Sequence, residues 1–343
     1  MPIPPRASEQ SGWDGDRAIA VWLCRCLGCL GWLTLPSAAL LILFALGIAS
    51  AGDSIPPGVL DGLKLVAAAV VAQALWGMAR QLCPDPLRIS LMAATACLVI
   101  VFPSLSTQWI GMAMSGLIGL WLLTPSEPTK REPLPMAITR KAGGRFLAAF
   151  FVLLVALPVA AAVFSSPVLS VVDAFYRAGS LVFGGGHVVL PLLHTEMVSS
   201  GWVSNETFLY GYGAAQAIPG PLFTFAAFLG ASISQTSFGW LSGLACLIVV
   251  FIPSFLLVVG ILPFWEGLRS RPRVQAALMG VNAGVVGLLL AALYRPVWVE
   301  AIHSPQDLGL VLVALMALMV WKLPPWQVVL GTGTISGLLA IAS

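Results

Sequence analysis

Two interrupted stretches in the second half of the chain carry residues that could bind an anion. The first is "FGGGHVVLPLLHTEMV", which begins at Phe183, and the second is "AQAIPGPLFTFAAFLG", which begins at Ala215. Because consecutive glycines and an internal proline weaken a helix, we expect one helix to begin after Gly186 and another at Pro221. The first N–H groups of a helix have no partner within it, and its N-terminus carries a partial positive charge. The two breaks therefore predict an anion site.

The candidate ligands of this site are neutral hydrogen-bond donors. We expect backbone N–H groups of residues 184–187 and 220–222 to face the anion, with contacts from nearby side chains. The predicted substrate-binding residues are Gly184, Gly185, Gly186, His187, Gln216, Pro219, Gly220, Pro221 and Thr224. Two alternatives stay open: the glycines and prolines serve close helix packing, and His187 is a structural histidine with an internal partner.

The sequence predicts no catalytic, cofactor or metal site. The Gly-Gly-Gly-His run lacks the Gly-Lys-Ser/Thr of a phosphate loop, and no Ser nucleophile elbow accompanies it. Neither the stretch "CRCLGC" nor the group of His187, His194 and Glu196 has the spacing of a single metal site. Asp173 and Arg177 are spaced as an ordinary ion pair on a helix. Buried in a membrane, that pair would instead be a candidate for a proton or anion relay.

The elements that position these residues are predicted to be membrane helices. Hydrophobic residues make up 59% of the chain and charged residues only 9%, whereas a soluble domain carries about 25% charged residues. The expected partner is therefore a lipid bilayer, and scattered basic residues with a net charge of +3 argue against nucleic acid. The uncharged runs, most of them long enough for one or two spans, are Gly31–Gly52, Leu65–Ala79, Ile89–Ser126, Phe146–Val172, Thr207–Trp265, Val274–Tyr294, Leu308–Trp321 and Leu323–Ser343. In the third run "FPSLSTQ" predicts a loop over Pro103–Gln108.

An internal repeat organises these spans. Three matches at a nearly constant separation are "LPSAALLI" from Leu35 with "IPSFLLVV" from Ile252, "GLKLVAAAVVAQALW" from Gly62 with "GVNAGVVGLLLAALY" from Gly280, and "SGL" at Ser115 with "SGL" at Ser336. We therefore predict a polar or poorly ordered N-terminal segment (1–30), a partial first repeat (31–123), a cytoplasmic polar linker (124–145) and a complete second repeat (146–343). The first-repeat equivalent of residues 183–230 would fall mostly before Met1, so we expect the first repeat to lack its front half.

Loop charges predict that the two repeats have opposite orientations. The loop "AGDSIPPGVLDG" has no Lys or Arg, whereas the matching loop "EGLRSRPR" has three Arg. Positively charged loops stay in the cytoplasm, which also places the N-terminus there. Residues 166–235 must then cross the membrane an even number of times, or dip into it and return. The predicted fold is an all-α polytopic integral membrane protein of the inverted-repeat transporter type, with broken or re-entrant helices at the Gly-rich and Pro-Gly-Pro segments.

In the two interrupted stretches and in the segments that follow them, the sequence resembles the chromate transporter (CHR) family. The resemblance is carried by "VFGGGHVVLPLL", "GWVSNETFLYGYGAAQAIPGPLFTFAAFLGA", "FIPSFLLV" and "GVNAGVVGLLL". It covers Phe146–Ser343 and, less closely, Trp32–Leu123. The resemblance implies a secondary transporter of the bacterial inner membrane that exports chromate, with competition by sulfate in some members and chromate resistance as the outcome. It also implies two homologous domains in opposite orientation.

This chain departs from the family pattern in its first repeat. Full-length members carry a Gly-Gly-Pro and a second Pro-Gly-Pro there, and no counterpart occurs in this sequence. Three interpretations remain: a single-chain exporter of chromate or sulfate-like oxyanions, a truncated half that is inactive or needs a homodimer or partner chain, and a membrane enzyme. The last is disfavoured because few carboxylate or His pairs are available. Without a nucleotide-binding motif, the driving force would be an ion gradient or the membrane potential.

Overall fold

The chain is built from helices of very different lengths. A computed structural model describes residues 31–50, 57–125, 138–182, 185–233 and 239–342, and these ranges contain helices and turns without a strand. Most of the predicted N-terminal segment (1–30) and linker (124–145) therefore lies outside the described residues. The helices are α1 (Gly31–Ser50), α2 (Pro57–Leu82), α3 (Pro86–Val101), α4 (Leu105–Leu122), α5 (Arg140–Phe164), α6 (Pro167–Ser180), α7 (Val189–Met197), α8 (Asn205–Ala217), α9 (Phe225–Ser232), α10 (Gly239–Arg269), α11 (Pro272–Ala292), α12 (Val299–Ala301), α13 (Pro305–Met319) and α14 (Pro325–Ala342).

Five helical segments within the described residues are long and apolar enough to cross a membrane: α1, α2, α5, α10 and the continuous stretch from α11 to α12. The helix α5 is the most lipid-like, because only 6% of its most apolar window is buried against the rest of the protein. A surface of that kind is stable only against hydrocarbon. The protein is therefore an all-α polytopic membrane protein, as the composition predicted.

The turn between α3 and α4 is shorter than the sequence suggested. Helix α3 ends at Val101 and α4 already begins at Leu105, so the predicted loop Pro103–Gln108 is mostly helical. The side chain of Ser104 caps α4 by accepting a hydrogen bond from the Thr107 N–H group (3.2 Å). This N-cap explains why a polar Ser-Leu-Ser-Thr sequence starts a helix instead of extending the loop.

Small residues allow the central helices to approach closely. Gly280 on α11 lies against Ser115 and Gly119 on α4, and Gly284 further along α11 lies against Ser115 and Gly111. The contact positions rise along one helix as they fall along the other, so α4 and α11 are antiparallel. Without a hydrophobic driving force inside lipid, such close backbone contact supplies much of the attraction between helices.

The same arrangement recurs between α2 and α14. Gly58 lies against Ser336 and Ala340, and Gly62 lies against Gly333, so this pair is also antiparallel. Both pairs join a helix from residues 31–123 to a helix from residues 146–343. The two predicted repeats therefore share one core and are not separate globular units.

The segment from α6 to α9 forms two hairpins inside this framework. Helix α7 folds back on α6, where Glu196 meets Arg177, and α9 folds back on α8, where the ring of Phe228 covers Gly211. The longest of these arms has 14 residues, which is about 21 Å of helix. A bilayer core is about 30 Å thick. The arms are thus too short to cross it singly, and of the two predicted alternatives this favours the one in which the region dips in and returns.

We predict that Gly280→Ala destabilises the protein by about 1–3 kcal/mol, because the added Cβ would overlap the Ser115 carbonyl oxygen and lie 2.9 Å from the Gly119 Cα. Backbone atoms cannot move aside as a flexible side chain would. The measurement is the free energy of unfolding, or the thermal midpoint, of the purified protein in detergent.

The control for this experiment is Gly309→Ala in α13, where an added Cβ meets nothing within 4 Å. That substitution should be neutral or stabilise the helix by up to about 1 kcal/mol. Equal midpoints for the two variants would contradict the close α4–α11 packing.

Candidate functional site

The tips of the two hairpins meet. Helix α7 is preceded by a short 3-10 turn, Gly186–Val188, and α9 by another, Leu222–Thr224. The two turns are in contact, since a Cβ built on Gly186 would lie 3.3 Å from the Leu222 side chain. The two 3-10 turns begin within a residue of the helix starts that the glycine run and Pro-Gly-Pro indicated, and the α-helices α7 and α9 begin two and four residues after the predicted positions. The structure therefore brings the two sequence motifs to one place.

The backbone at these tips leaves N–H groups free. The first backbone hydrogen bonds of the turns run from Val188 to the Gly185 carbonyl (3.2 Å) and from Thr224 to the Pro221 carbonyl (3.0 Å). The two N–H groups that precede each of these donors have no backbone acceptor in the described part of the chain. Gly185 has φ 154° and ψ 163°, a conformation that is essentially restricted to glycine. Glycine is thus needed at position 185 to turn the chain into the start of α7.

A cavity of about 580 Å³ lies at this junction. Six of the predicted site residues line it: Gly186, His187, Gln216, Pro219, Gly220 and Pro221. Pro325 and Trp326, at the start of α14, close another side. None of its described lining residues is Lys, Arg, Asp or Glu, so an anion here would be bound by neutral donors and helix N-termini rather than by an opposite charge.

The remaining predicted site residues lie elsewhere. Gly184 is outside the described residues, and Gly185 shapes the tip without lining the cavity. The hydroxyl of Thr224 donates to the Pro221 carbonyl (2.9 Å) within its own turn, and Thr224 is buried away from the cavity wall. Its role as a ligand stays a prediction, whereas its contact shows a role in starting α9.

His187 is held in place by a tyrosine that sequence reasoning missed. The Nδ1 atom of His187 lies 2.9 Å from the hydroxyl of Tyr212, which is fully buried in α8. Tyr212 is one turn before Gln216 on the same helix, so both side chains lie on one face of α8. The i, i+4 spacing of Tyr212 and Gln216 is the feature of the sequence that could have indicated a role for Tyr212. The histidine therefore has the internal partner of a structural residue and still lines the cavity.

Gln216 carries a buried polar atom without a partner. Within the described residues, its Nε2 group makes no hydrogen bond of normal geometry, although the side chain lies beside the Tyr212 hydroxyl. An unsatisfied buried donor is unfavourable, and this one belongs to a residue that lines the cavity. A bound anion would satisfy it.

A residue from the first repeat supports the Pro-Gly-Pro tip. The Ser37 hydroxyl on α1 lies 2.7 Å from the Pro219 carbonyl oxygen and 2.7 Å from the Leu33 carbonyl oxygen. Ser37 is 2% exposed, and a Cβ on Gly220 would overlap its hydroxyl. Glycine is needed at 220 because α1 approaches so closely. The repeated Pro-Ser sequence contained this residue, but nothing in it indicated the contact.

The polar residues considered for a metal site have separate partners. His194 is hydrogen-bonded to Asn205, whose Nδ2 donates to Glu300 (2.9 Å), while Glu196 pairs with Arg177. Within the described ranges no three His, Cys, Asp or Glu side chains are grouped as metal ligands would be. His194 instead lines a second cavity of about 320 Å³.

The sequence is similar to a known family of transporters and to individual members of it. The sequence matches the family model described as "Chromate transporter" over residues 13–120 and 169–338. A chromate transport protein of Pseudomonas aeruginosa is 30% identical over 185 residues, covering 49% of this chain and 44% of that protein. A probable chromate transport protein of Synechococcus elongatus is 30% identical over 151 residues, covering 43% of this chain and 36% of that protein.

A shorter relative matches over nearly its whole length. The uncharacterized transporter YwrA of Bacillus subtilis is 28% identical over 170 residues, covering 48% of this chain and 93% of that protein. In contrast, the chain spans less than half the length of the chromate transport proteins of P. aeruginosa and S. elongatus. No solved structure matches the chain.

We predict that Ser37→Ala lowers the free energy of unfolding by about 1 kcal/mol, because the Pro219 carbonyl loses its hydrogen bond. Ser90→Ala is the control. Its hydroxyl is exposed and bonds only the Pro86 carbonyl one turn earlier. Comparing the free energies of unfolding of the two variants in detergent separates the loss of the interhelical hydrogen bond from the loss of a local one. Equal effects would contradict a stabilising Ser37–Pro219 hydrogen bond.

Proposed function

Because the chain belongs to the chromate transporter family, we propose that it is a secondary transporter that exports chromate, and related oxyanions such as sulfate, across the membrane. In a cell this activity would confer chromate resistance. The observation that carries the proposal is the cavity at the meeting hairpin tips, where two helix N-termini and the free Nε2 group of Gln216 converge.

The chemistry of the cavity suits a tetrahedral dianion. Such a ligand offers several acceptor oxygens, and the site offers backbone N–H groups from both tips together with the Gln216 amide. Hydrogen bonds to charged groups are about twice as strong as neutral ones. Neutral donors also avoid a permanent ion pair, so the ligand can be released as readily as it is bound.

The driving force we propose is the membrane potential. The sequence has no Gly-Lys-Ser/Thr phosphate loop that would indicate ATP hydrolysis. Moving one charge through 100 mV changes the free energy by about 2.3 kcal/mol. A dianion leaving a cytoplasm that is negative inside is therefore favoured without a further energy source.

Alternating access would follow from rocking of one repeat against the other. Two features support the proposed repeats: the family model matches in two separate stretches, and the α4–α11 and α2–α14 pairs have corresponding contacts. Since positively charged loops stay in the cytoplasm, the N-terminus lies in the cytoplasm of a bacterium and the protein lies in its inner membrane.

A second copy or a partner chain is the alternative we propose for the missing first-repeat motif. The observation in its favour is YwrA, which is nearly covered by a match of 170 residues and is therefore about as long as one proposed repeat. A transporter with two oppositely oriented repeats would need two chains if each chain were as short as this relative.

The test is transport by the purified chain in liposomes loaded with chromate. We expect chromate to leave faster when a potassium gradient with valinomycin makes the lumen negative, and sulfate in the lumen to slow it. Protein-free liposomes give the background. If neither oxyanion moves in either direction, the single-chain proposal is wrong, and recovery of transport by an added partner chain would support the alternative.

We predict that Gln216→Leu weakens the apparent affinity for the oxyanion about tenfold or more, because a hydrogen bond to a charged group contributes about 1.5–3 kcal/mol. The readout is the KM for chromate in the liposome assay. Gln73→Leu is the matched control, since Gln73 reaches only the Leu318 carbonyl between α2 and α13. A loss of affinity in both variants would mean that Gln216 has no special role.

A further inference from the structure

A buried cluster of three charged side chains links the two arms of the first hairpin. The Arg177 Nη2 atom on α6 lies 2.8 Å from the Asp173 Oδ2 atom and 3.3 Å from the Glu196 Oε2 atom on α7. Both acidic residues are 4% exposed. We refer to these three residues as the acidic triad. It lies outside the cavity, and the transport mechanism above does not use it.

The triad has one more acid than base. If both carboxyl groups were ionised, a net negative charge would be buried, which is unfavourable without a partner. The second oxygens, Asp173 Oδ1 and Glu196 Oε1, are buried and have no hydrogen-bond partner within the described residues. Two carboxyl groups that share one site cannot easily both ionise, so one of them is expected to hold a proton.

The distances identify which carboxyl group takes the proton. Asp173 makes the shorter contact with Arg177 and Glu196 the longer one, so Arg177 stabilises the ionised form of Asp173 more strongly than that of Glu196. The side chain of Arg177 is 29% exposed, so one edge of the triad is not covered by the rest of the protein. A proton can therefore reach Glu196 from that edge without crossing the apolar core.

No other charged group in the described part of the chain pairs with Glu196. On its own helix, His194 faces Asn205 instead, and on α4 the neutral Gln108 donates to Thr195. The helices packed on α6 and α7 carry charges only near their ends, which are Arg140, Lys141 and Arg145 on α5, Glu266 and Arg269 on α10, and Arg273 on α11. Contacts of α6 with α5 and α10 are instead made at Phe150, Val250 and Pro253.

The triad is joined mechanically to the cavity. Glu196 is on α7, and the 3-10 turn that precedes α7 places Gly186 and His187 in the cavity wall, while Arg177 is on the other arm of the same hairpin. Protonation of Glu196 weakens its attraction to Arg177 and removes one negative charge from the hairpin that carries the proposed anion site. Both changes alter the tip at which the anion binds.

We propose that Glu196 binds and releases one proton in each transport cycle, so that a proton and an oxyanion bind together and move in the same direction. This proposal rests on the proposed oxyanion transport. In the balanced step, a proton from water joins the Glu196 carboxylate as the anion binds, and it returns to water on the opposite side when the anion leaves. A dianion then crosses with one net negative charge.

The sign of the pH dependence follows from this linkage. Since the protonated triad favours the anion, affinity for sulfate should rise as the pH falls, by up to about tenfold per pH unit for one linked proton. Sulfate is the suitable probe because it stays a dianion over the range used. Calorimetric titration of the detergent-purified protein at several pH values gives the affinities, and a pH dye in weak buffer reports the proton taken up.

Two substitutions should remove this dependence in opposite directions. Glu196→Gln mimics the protonated form and should keep the high affinity at every pH, with no proton uptake. Asp173→Asn leaves Glu196 as the only acid beside Arg177, so it stays ionised and the affinity should be low and independent of pH. The control is Glu206→Gln, an exposed acid that also pairs with a buried cation, Lys64 (3.5 Å); it should behave as the wild type.

A measurement without substrate separates this proposal from the proposed function. Without substrate, the infrared carbonyl band of a protonated buried carboxyl group should appear in the wild type and in Glu206→Gln as the pH is lowered, and it should be absent in Glu196→Gln at every pH. If that band is absent from the wild type, or persists in Glu196→Gln, the proton site is wrong even if oxyanions are transported. If the band behaves as expected but sulfate affinity does not change with pH in a transporting wild type, Glu196 is not coupled to transport and the proposal is overturned.

Discussion

The hydrocarbon core of a bilayer offers no hydrogen-bond partner to a backbone N–H or C=O group, and the whole arrangement around residues 185–233 depends on this constraint. Helices interrupted at their middle cannot face lipid there. The long helices α2, α10 and α11 therefore surround the two hairpins, and the side chains of α7 and α9 are almost all buried. The N–H groups that the breaks release remain inside the protein, at the cavity between the two tips.

The site is assembled from elements far apart in the chain. Ser37 of α1 fixes the Pro-Gly-Pro tip, Tyr212 of α8 fixes His187 of the other tip, and Trp326 of α14 closes the cavity. A change in the position of α1, α8 or α14 is thus transmitted to the cavity by a specific contact. Such a design is suited to a protein in which movement of one bundle must open or close a site.

Features that depend on local composition could be predicted from the sequence, whereas contacts between distant helices could not. The membrane spans and the two breaks depend on local composition, so the apolar runs, the glycine run and Pro-Gly-Pro indicated them directly. The loop predicted over Pro103–Gln108 was too long because a single N-cap, Ser104, starts α4 early. Contacts such as Ser37 with Pro219 or Arg177 with Glu196 depend on how helices meet, which hydropathy does not encode. The shared core of the two proposed repeats was concealed for the same reason.

That shared core bears on how the protein is made. The small residues of α2 at Gly58 and Gly62 pack against α14, which lies far along the chain, whereas those of α4 pack against α11. During translation, α2 must therefore enter the membrane with its packing face covered by lipid until more than two hundred further residues have followed. Helix insertion and helix packing are consequently separate stages for this protein, and α2 reaches its native partner only after α14 has been synthesised.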